Sequence, residues 1–215
     1  MNGGRSIEGS RQAEGAAQTR HRLLQAAESL VVREGVHALT VRRIASEAQV
    51  NSALVRYHFG GVPGLLRELA LLNARRLADE RASLLERLPP DDFDAAVDAL
   101  VLPLWTRSAI GGDERAIVVL DEIFARATPE LHGEIWTIFA PGVDRVTGAL
   151  QAIQPGVDTV TLAWRIRFVT AAALDVPPRS NRSAVEARRA RTYGTEQAGE
   201  RLERFRAFAR HALRA

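Results

Sequence analysis

Residues 40–59, TVRRIASEAQVNSALVRYHF, constrain this chain more than any other stretch, because they read as two short helices joined by a tight turn. Thr40 is a natural N-cap, its hydroxyl placed to accept from a free amide of the first turn. Val41, Ile44, Ala45 and Ala48 repeat at helical spacing and mark the inward face of a helix about two turns long. Val50 is the apolar residue of the turn, and Asn51 or Ser52 caps the second helix. In that helix Val55 and Phe59 stand four apart and can bury against the first, leaving Ser52, Ala53, Arg56 and Tyr57 outward. A short helix with small polar residues at its start and Arg and Tyr beyond fits a DNA major groove, its first turn at the base edges. This is the pattern of a helix-turn-helix.

The residues expected at DNA are Thr40, Arg42, Arg43, Ser52, Ala53, Arg56, Tyr57 and His58. Together they make a positive, hydrogen-bonding face, and Arg is the side chain best suited to bidentate contact with guanine or phosphate. Capping and phosphate positioning use the same groups, so Thr40 has a structural role open to it, and His58 can serve only to hold the turn. Asn51 is left with the caps.

Charge is distributed to match. All 29 basic residues are Arg, and the net charge is +3. Residues 1–70 carry nine Arg against six acids, residues 71–178 ten against 16, and residues 179–215 ten against four. A basic head on an acidic body suits a protein that meets DNA at one end; the basic tail reads as a solvated helix face. No Cys is present, so disulfides and thiolate metal sites are excluded. No run of about 18 apolar residues offers a membrane span, and the start lacks the apolar core of a signal peptide, so a cytoplasmic location is expected.

The rest reads as helices punctuated by Pro and Gly. Residues 1–17, rich in Gly, Ser and charge, are expected to be a disordered arm, and a first helix to run from about Thr19 to Glu34 and stop at Gly35. A long helix from Pro63 is expected to end at Pro89-Pro90 and to link head and body. Asp91 or Asp92 starts a segment whose Phe93, Val97, Leu100 and Leu104 share a face, with Gly111-Gly112 closing it. Asp113 is expected to cap the next helix, Thr128-Pro129 to open another, and Pro141 to kink or divide the latter. An apolar helix to about Leu174, a loop over 177–194 and a last helix over 195–213 complete an all-α fold. Trp105, Phe124, Trp136, Phe139, Trp164 and Phe168 are the candidate lining of an effector pocket in the body, with Arg107, His132, Arg165 or Arg167 as its polar end; ordinary core packing uses the same residues. The strings HExxH, GxSxG, GxGxxG and the P-loop are lacking, and the five His show no ligand spacing, so no enzyme, cofactor or metal is expected.

Residues 19–72 resemble the N-terminal domain of the tetracycline-repressor (TetR) family, through Leu23, Ala26, Ala27, Leu30, Gly35, LTVRRIASEAQV and YHFG in order and spacing. The resemblance implies a three-helix helix-turn-helix DNA-binding domain over 18–62, and a larger helical effector-binding and dimerisation domain over 63–215. It implies a homodimer built on a four-helix bundle of each chain's last two helices, which binds a double-stranded palindromic operator and is released by a small apolar effector. The body is similar to members that sense fatty acids or acyl-thioesters. One departure is plain: where many members carry a phosphate-contacting lysine after the YHFG turn, this chain has Val62. The rival expectation is a DNA-bound scaffold whose C-terminal domain binds a protein partner.

Overall fold

The computed structural model describes residues 4–111, 114–174 and 198–214. Its helices are α1 (Gly4–Glu34), α2 (Val41–Glu47), α3 (Ala53–Phe59), α4 (Val62–Glu86), α5 (Phe93–Val101), α6 (Ala116–Phe124), α7 (Pro129–Ile153), α8 (Thr159–Leu174) and α9 (Ala198–Leu213). Short 3-10 turns at Val36–Ala38 and Leu102–Trp105 follow α1 and α5, and no β-strand occurs among the described residues. No helix among them is long and apolar enough to cross a membrane. The expected loop over 177–194 and the Asp113 cap lie outside the described residues.

Two apolar cores organise the chain. The first joins α1, α2 and α3 to the front half of α4, to α6 and to the start of α7, around Leu23, Leu30, Ile44, Val55, Leu69, Leu120 and Ile135. The second joins the rear of α4 to α5, the end of α7, α8 and α9, around Leu85, Val97, Leu100, Leu150, Leu162, Phe205 and Leu213. Helix α4 therefore belongs to both, and the head shares its core with α6. Burying one such Leu or Ile contributes about 1.5–3 kcal/mol, so each core outweighs any single local propensity.

That ranking explains where the structure departs from the sequence expectations. The arm expected to be irregular over 1–17 is helical from Gly4, and Thr19, expected near a helix start, donates its hydroxyl back to the Gly15 carbonyl at 2.8 Å. No proline interrupts residues 1–34, and each of the interior glycines, Gly9 and Gly15, costs only about 1 kcal/mol. Of the two outcomes expected at Pro141, division does not occur: α7 continues through it as one helix. An interior proline costs about 3 kcal/mol, but Ile135 before it and Val146 and Leu150 after it are fully buried, which favours one continuous element. The segment begun by Asp92 divides instead: Asp92 accepts from the Ala95 amide at 2.9 Å, and the α-helix stops at Val101. Pro103 has no N–H for the Ala99 carbonyl, four residues back. Arg81 of α4 takes that place, with Nε 3.2 Å from Ala99 O and a second nitrogen 3.4 Å from Leu100 O. Arg81 is 4% exposed, and burial pushes its guanidinium down to about 10.

The basic tail is more than a solvated face. Arg206 of α9 grips Asp98 of α5 with two nitrogens, Arg210 reaches Asp94 and Asp98, and Arg214 reaches Asp94 at 3.5 Å.

Candidate nucleic-acid interface

Local chemistry places α2 and α3. Thr40 has extended backbone, and its Oγ1 accepts from the Arg43 amide at 3.2 Å, so it caps α2. Ile44 and Ala45 are buried on the inward face. The turn that follows needs Gln49 at φ 54°, a left-handed conformation, and it is closed by Val50 N donating to Ala45 O at 2.9 Å. From α1, Arg22 donates to the Ala48 carbonyl at 2.5 Å and ties the turn down. Asn51 Oδ1 accepts from the Ala53 amide at 2.8 Å, whereas the Ser52 hydroxyl makes no capping bond. Helix α3 then buries Val55, half-buries Phe59, and ends at Gly60 with φ 71°.

Five of the eight expected contact residues are presented outward at the surface of this small scaffold. Arg42, Ser52, Ala53 and Arg56 are exposed, and Tyr57 is 79% exposed. Thr40 is exposed but spends its hydroxyl on the α2 cap. Arg43 is exposed but clasped by Glu34, one nitrogen standing 2.7 Å from each carboxylate oxygen. His58 is half-buried and packs edge-on against Tyr57. Arg43 holds the Glu34 carboxyl below the usual range, and Arg33 does the same to Glu47. Two of the head's arginines are thus neutralised locally, while neither Arg42 nor Arg56 forms an ion pair among the described residues. Val62 turns into the first core rather than outward.

The six body aromatics do not gather around one enclosed space. Trp105 is half-buried, its ring 4.7 Å from Phe205 and 4.6 Å from the Arg115 guanidinium. Phe124 stacks on His132, and both Phe124 and Phe139 pack against the first core. Trp136, Trp164 and Phe168 are 60%, 53% and 62% exposed. On a helix that packs by one stripe, these three fall on the other side. Of the expected polar ends, His132 Nε2 meets Phe124 O at 3.2 Å, Arg165 donates to Arg214 O at 2.8 Å, and Arg167 lies over Trp164. Arg107 is exposed. No cluster able to hold a metal occurs among the described residues.

Sequence reasoning missed the buried polar residues Glu28, Asn73, Arg81, Ser108 and Arg115. A signal existed for some of them: Leu69, Asn73, Leu77, Arg81 and Leu85 form one stripe of α4 at four-residue spacing, all buried, with polar residues at alternate places.

With this geometry in view, the matches to known proteins are consistent. Residues 23–69 match the family model for bacterial regulatory proteins of the tetR family, and residues 98–210 that for the tetracyclin repressor-like C-terminal domain. The HTH-type transcriptional regulator BetI of Vibrio atlanticus (strain LGP32) is 32% identical over 79 residues, which are 37% of this chain and 40% of that protein. The chain thus spans about two fifths of the curated relatives it matches. Among solved structures, the TetR-family regulator PfmR of Thermus thermophilus superposes with a TM-score of 0.64 at 20% identity, over 90% of this chain and 98% of that one. NalD of Pseudomonas aeruginosa, the secondary repressor of the MexAB-OprM multidrug efflux pump, gives 0.59 at 20% identity, over 93% and 97%. The two structures share the fold, and the family models cover head and body separately. The chain therefore belongs to the tetracycline-repressor family of bacterial regulatory proteins.

Proposed function

We propose that this protein is a homodimeric repressor that holds a palindromic operator through α3 and lets go when a small apolar effector enters the body. The observation that carries the DNA half is the outer face of α3 and the start of α2. There Ala53, Arg56, Tyr57 and Arg42 project from a scaffold held rigid by the Thr40 cap, the Asn51 cap and the Arg22 tie. Arg56 is the base reader and Arg42 a phosphate anchor; Thr40 and Arg43 serve the scaffold first, with Ser52, Tyr57 and His58 around them. The lack of a lysine at Val62 removes one phosphate contact, which lowers affinity for all sequences alike.

The dimer half rests on α8 and α9. Val160, Trp164 and Phe168 stand at four-residue spacing on α8 and are 67%, 53% and 62% exposed, and Phe208 of α9 is 50% exposed. Large side chains left in water along one stripe mark an interaction surface, and a second copy of the same two helices covers it in a four-helix bundle. Trp164 and Phe168 are thereby reassigned from the effector to the partner subunit. For the effector, the half-buried Trp105, Phe124 and Phe139 remain as contacts, and fatty acids and acyl-thioesters are the first ligands to try.

Selection of bound duplexes from a random pool tests the reading. The wild-type chain should return an inverted repeat, and Arg56→Ala should relax one base position in each half-site, since a bidentate Arg–guanine pair is worth about 1–3 kcal/mol of discrimination. An unchanged motif with uniformly weaker binding would move Arg56 to the phosphates.

A further inference from the structure

In the first core, otherwise apolar, three polar side chains from three elements meet. Glu28 of α1 is 4% exposed, Asn73 of α4 is fully buried, and Ser108 of the loop before α6 is 5% exposed. Ser108 Oγ donates to Glu28 Oε2 and accepts from the Ile110 amide at 3.2 Å. Asn73 donates to Glu28 and, at 3.0 Å, to the Leu69 carbonyl, while its Oδ1 accepts from the Ala109 amide at 3.1 Å. The Ser108–Glu28, Asn73–Glu28 and Ala109–Asn73 bonds cross between elements and are made only while α1, α4 and the loop keep this one mutual placement. A buried polar group left without its partner carries its full desolvation cost, so such a cluster resists sliding in a way that an apolar contact does not.

The loop is itself tied to the far side of the body. Ser108 N donates to Glu114 O and Ala116 N to Thr106 O, each at 2.9 Å, which closes the loop onto the start of α6. At its base Arg115, 8% exposed, donates to Leu104 O at 3.3 Å and to Ala173 O at 2.9 Å. Ala173 belongs to the last turn of α8, the helix whose outer face carries Trp164 and Phe168. An unbroken series of hydrogen bonds and covalent chain thus runs from α8 through Arg115, the loop and Ser108 to Glu28, near the C-terminal end of α1.

We infer that Glu28, Ser108 and Asn73 form a latch by which the body sets the position of the DNA-binding head, with Glu28 and Ser108 as its positioning residues. This inference rests on the regulator reading above and names the contact through which regulation passes. A shift of α8 or α6 moves the loop, and the loop cannot move without either carrying α1 along or breaking the Ser108–Glu28 bond. Coupling of this kind needs a physical element with a preferred arrangement that both sites bias.

Hydrogen exchange of the full-length protein, joined to binding of its selected duplex, tests the latch. Four variants suffice: Ser108→Ala, Glu28→Leu, Glu28→Gln, and Val97→Ala in the second core as a comparison for lost stability. Ser108→Ala and Glu28→Leu should speed exchange of the amides of residues 23–34 and weaken duplex binding by about 5–150-fold, the usual span of such couplings. Glu28→Gln keeps an oxygen to accept from Ser108 and should stay within about twofold of wild type on both readouts, a small effect on the same scale. Val97→Ala should lower the melting temperature and leave head exchange unchanged. The latch is refuted if Ser108→Ala loosens residues 23–34 no more than Val97→Ala does at matched stability, or if Glu28→Gln behaves as Glu28→Leu. Should Glu28→Leu fail to fold, Ser108→Ala decides alone. If the wild-type chain selects no duplex, the regulator reading fails, while the exchange comparison still decides the latch.

Discussion

Single side chains carry unusual weight where the chain turns from α3 into α4. A Cβ built on Gly64 lies 1.9 Å from the Phe59 carbonyl oxygen, and that obstacle is backbone, which cannot rotate away. Gly64→Ala should therefore cost at least about 1–3 kcal/mol, the range for overpacking, seen as a lower urea midpoint with an unchanged slope. A midpoint equal to wild type would show that the YHFG turn tolerates a wider path. Glu28 offers a second test at this scale. Burial pushes its carboxyl above the ordinary range and Glu114 adds to the push, while hydrogen bonds from Ser108 and Asn73 act the other way. A carboxyl raised in the folded state contributes its stability below the unfolded value, and loses it as pH rises through the folded value. The stability of Glu28→Gln relative to wild type should thus climb as pH rises from the ordinary carboxylate range toward neutrality. Parallel urea midpoints across that window would show that Glu28 stays ionised throughout.

Elements are held together here by charge as well as by apolar faces. The contact of α5 with α9 combines Val97, Leu100 and Phe205 below with Asp98, Arg206 and Arg210 above. Asp98 holds the Arg206 guanidinium well above its usual value. The Asp98 and Arg206 side chains are 18% and 22% exposed, between a surface pair and a buried one. Asp98→Asn should consequently destabilise by about 1–2 kcal/mol, more than the 0–1 of exposed pairs and less than the 3–5 of buried ones. The difference from wild type should shrink in strong salt. A loss that salt leaves untouched would point to packing as the cause.

At the scale of the whole molecule, the proposed dimer sets what the chain can do. Two heads related by a two-fold axis meet one face of DNA only if half-sites lie about one helical turn, roughly 34–36 Å, apart. Trp164→Glu together with Phe168→Glu places like charges on the stripe that a second copy is proposed to cover. Light scattering should then report a monomer that still folds, and the palindrome should bind it far more weakly than wild type. A dimer of undiminished affinity would move the interface away from α8.

How much of this was legible in the residues differs from element to element. The α2–turn–α3 unit was, because its capping and apolar spacing are set within twenty residues and the first core only reinforces them. The caps at Thr40, Asp92 and Thr128 were legible for the same reason. What needed the tertiary structure was every decision taken between distant segments. Pro141 stays inside a helix because buried residues on both sides favour one element. Arg81 replaces the N–H that Pro103 lacks, across 18 residues of chain. Arg43, alike in sequence to Arg42, is withdrawn by Glu34, and Trp164 faces outward although it is as apolar as its buried neighbours. Periodicity reports which side chains leave water, since that is a property of one helix. Which partner each one meets is a property of packing, and only the folded chain decides it.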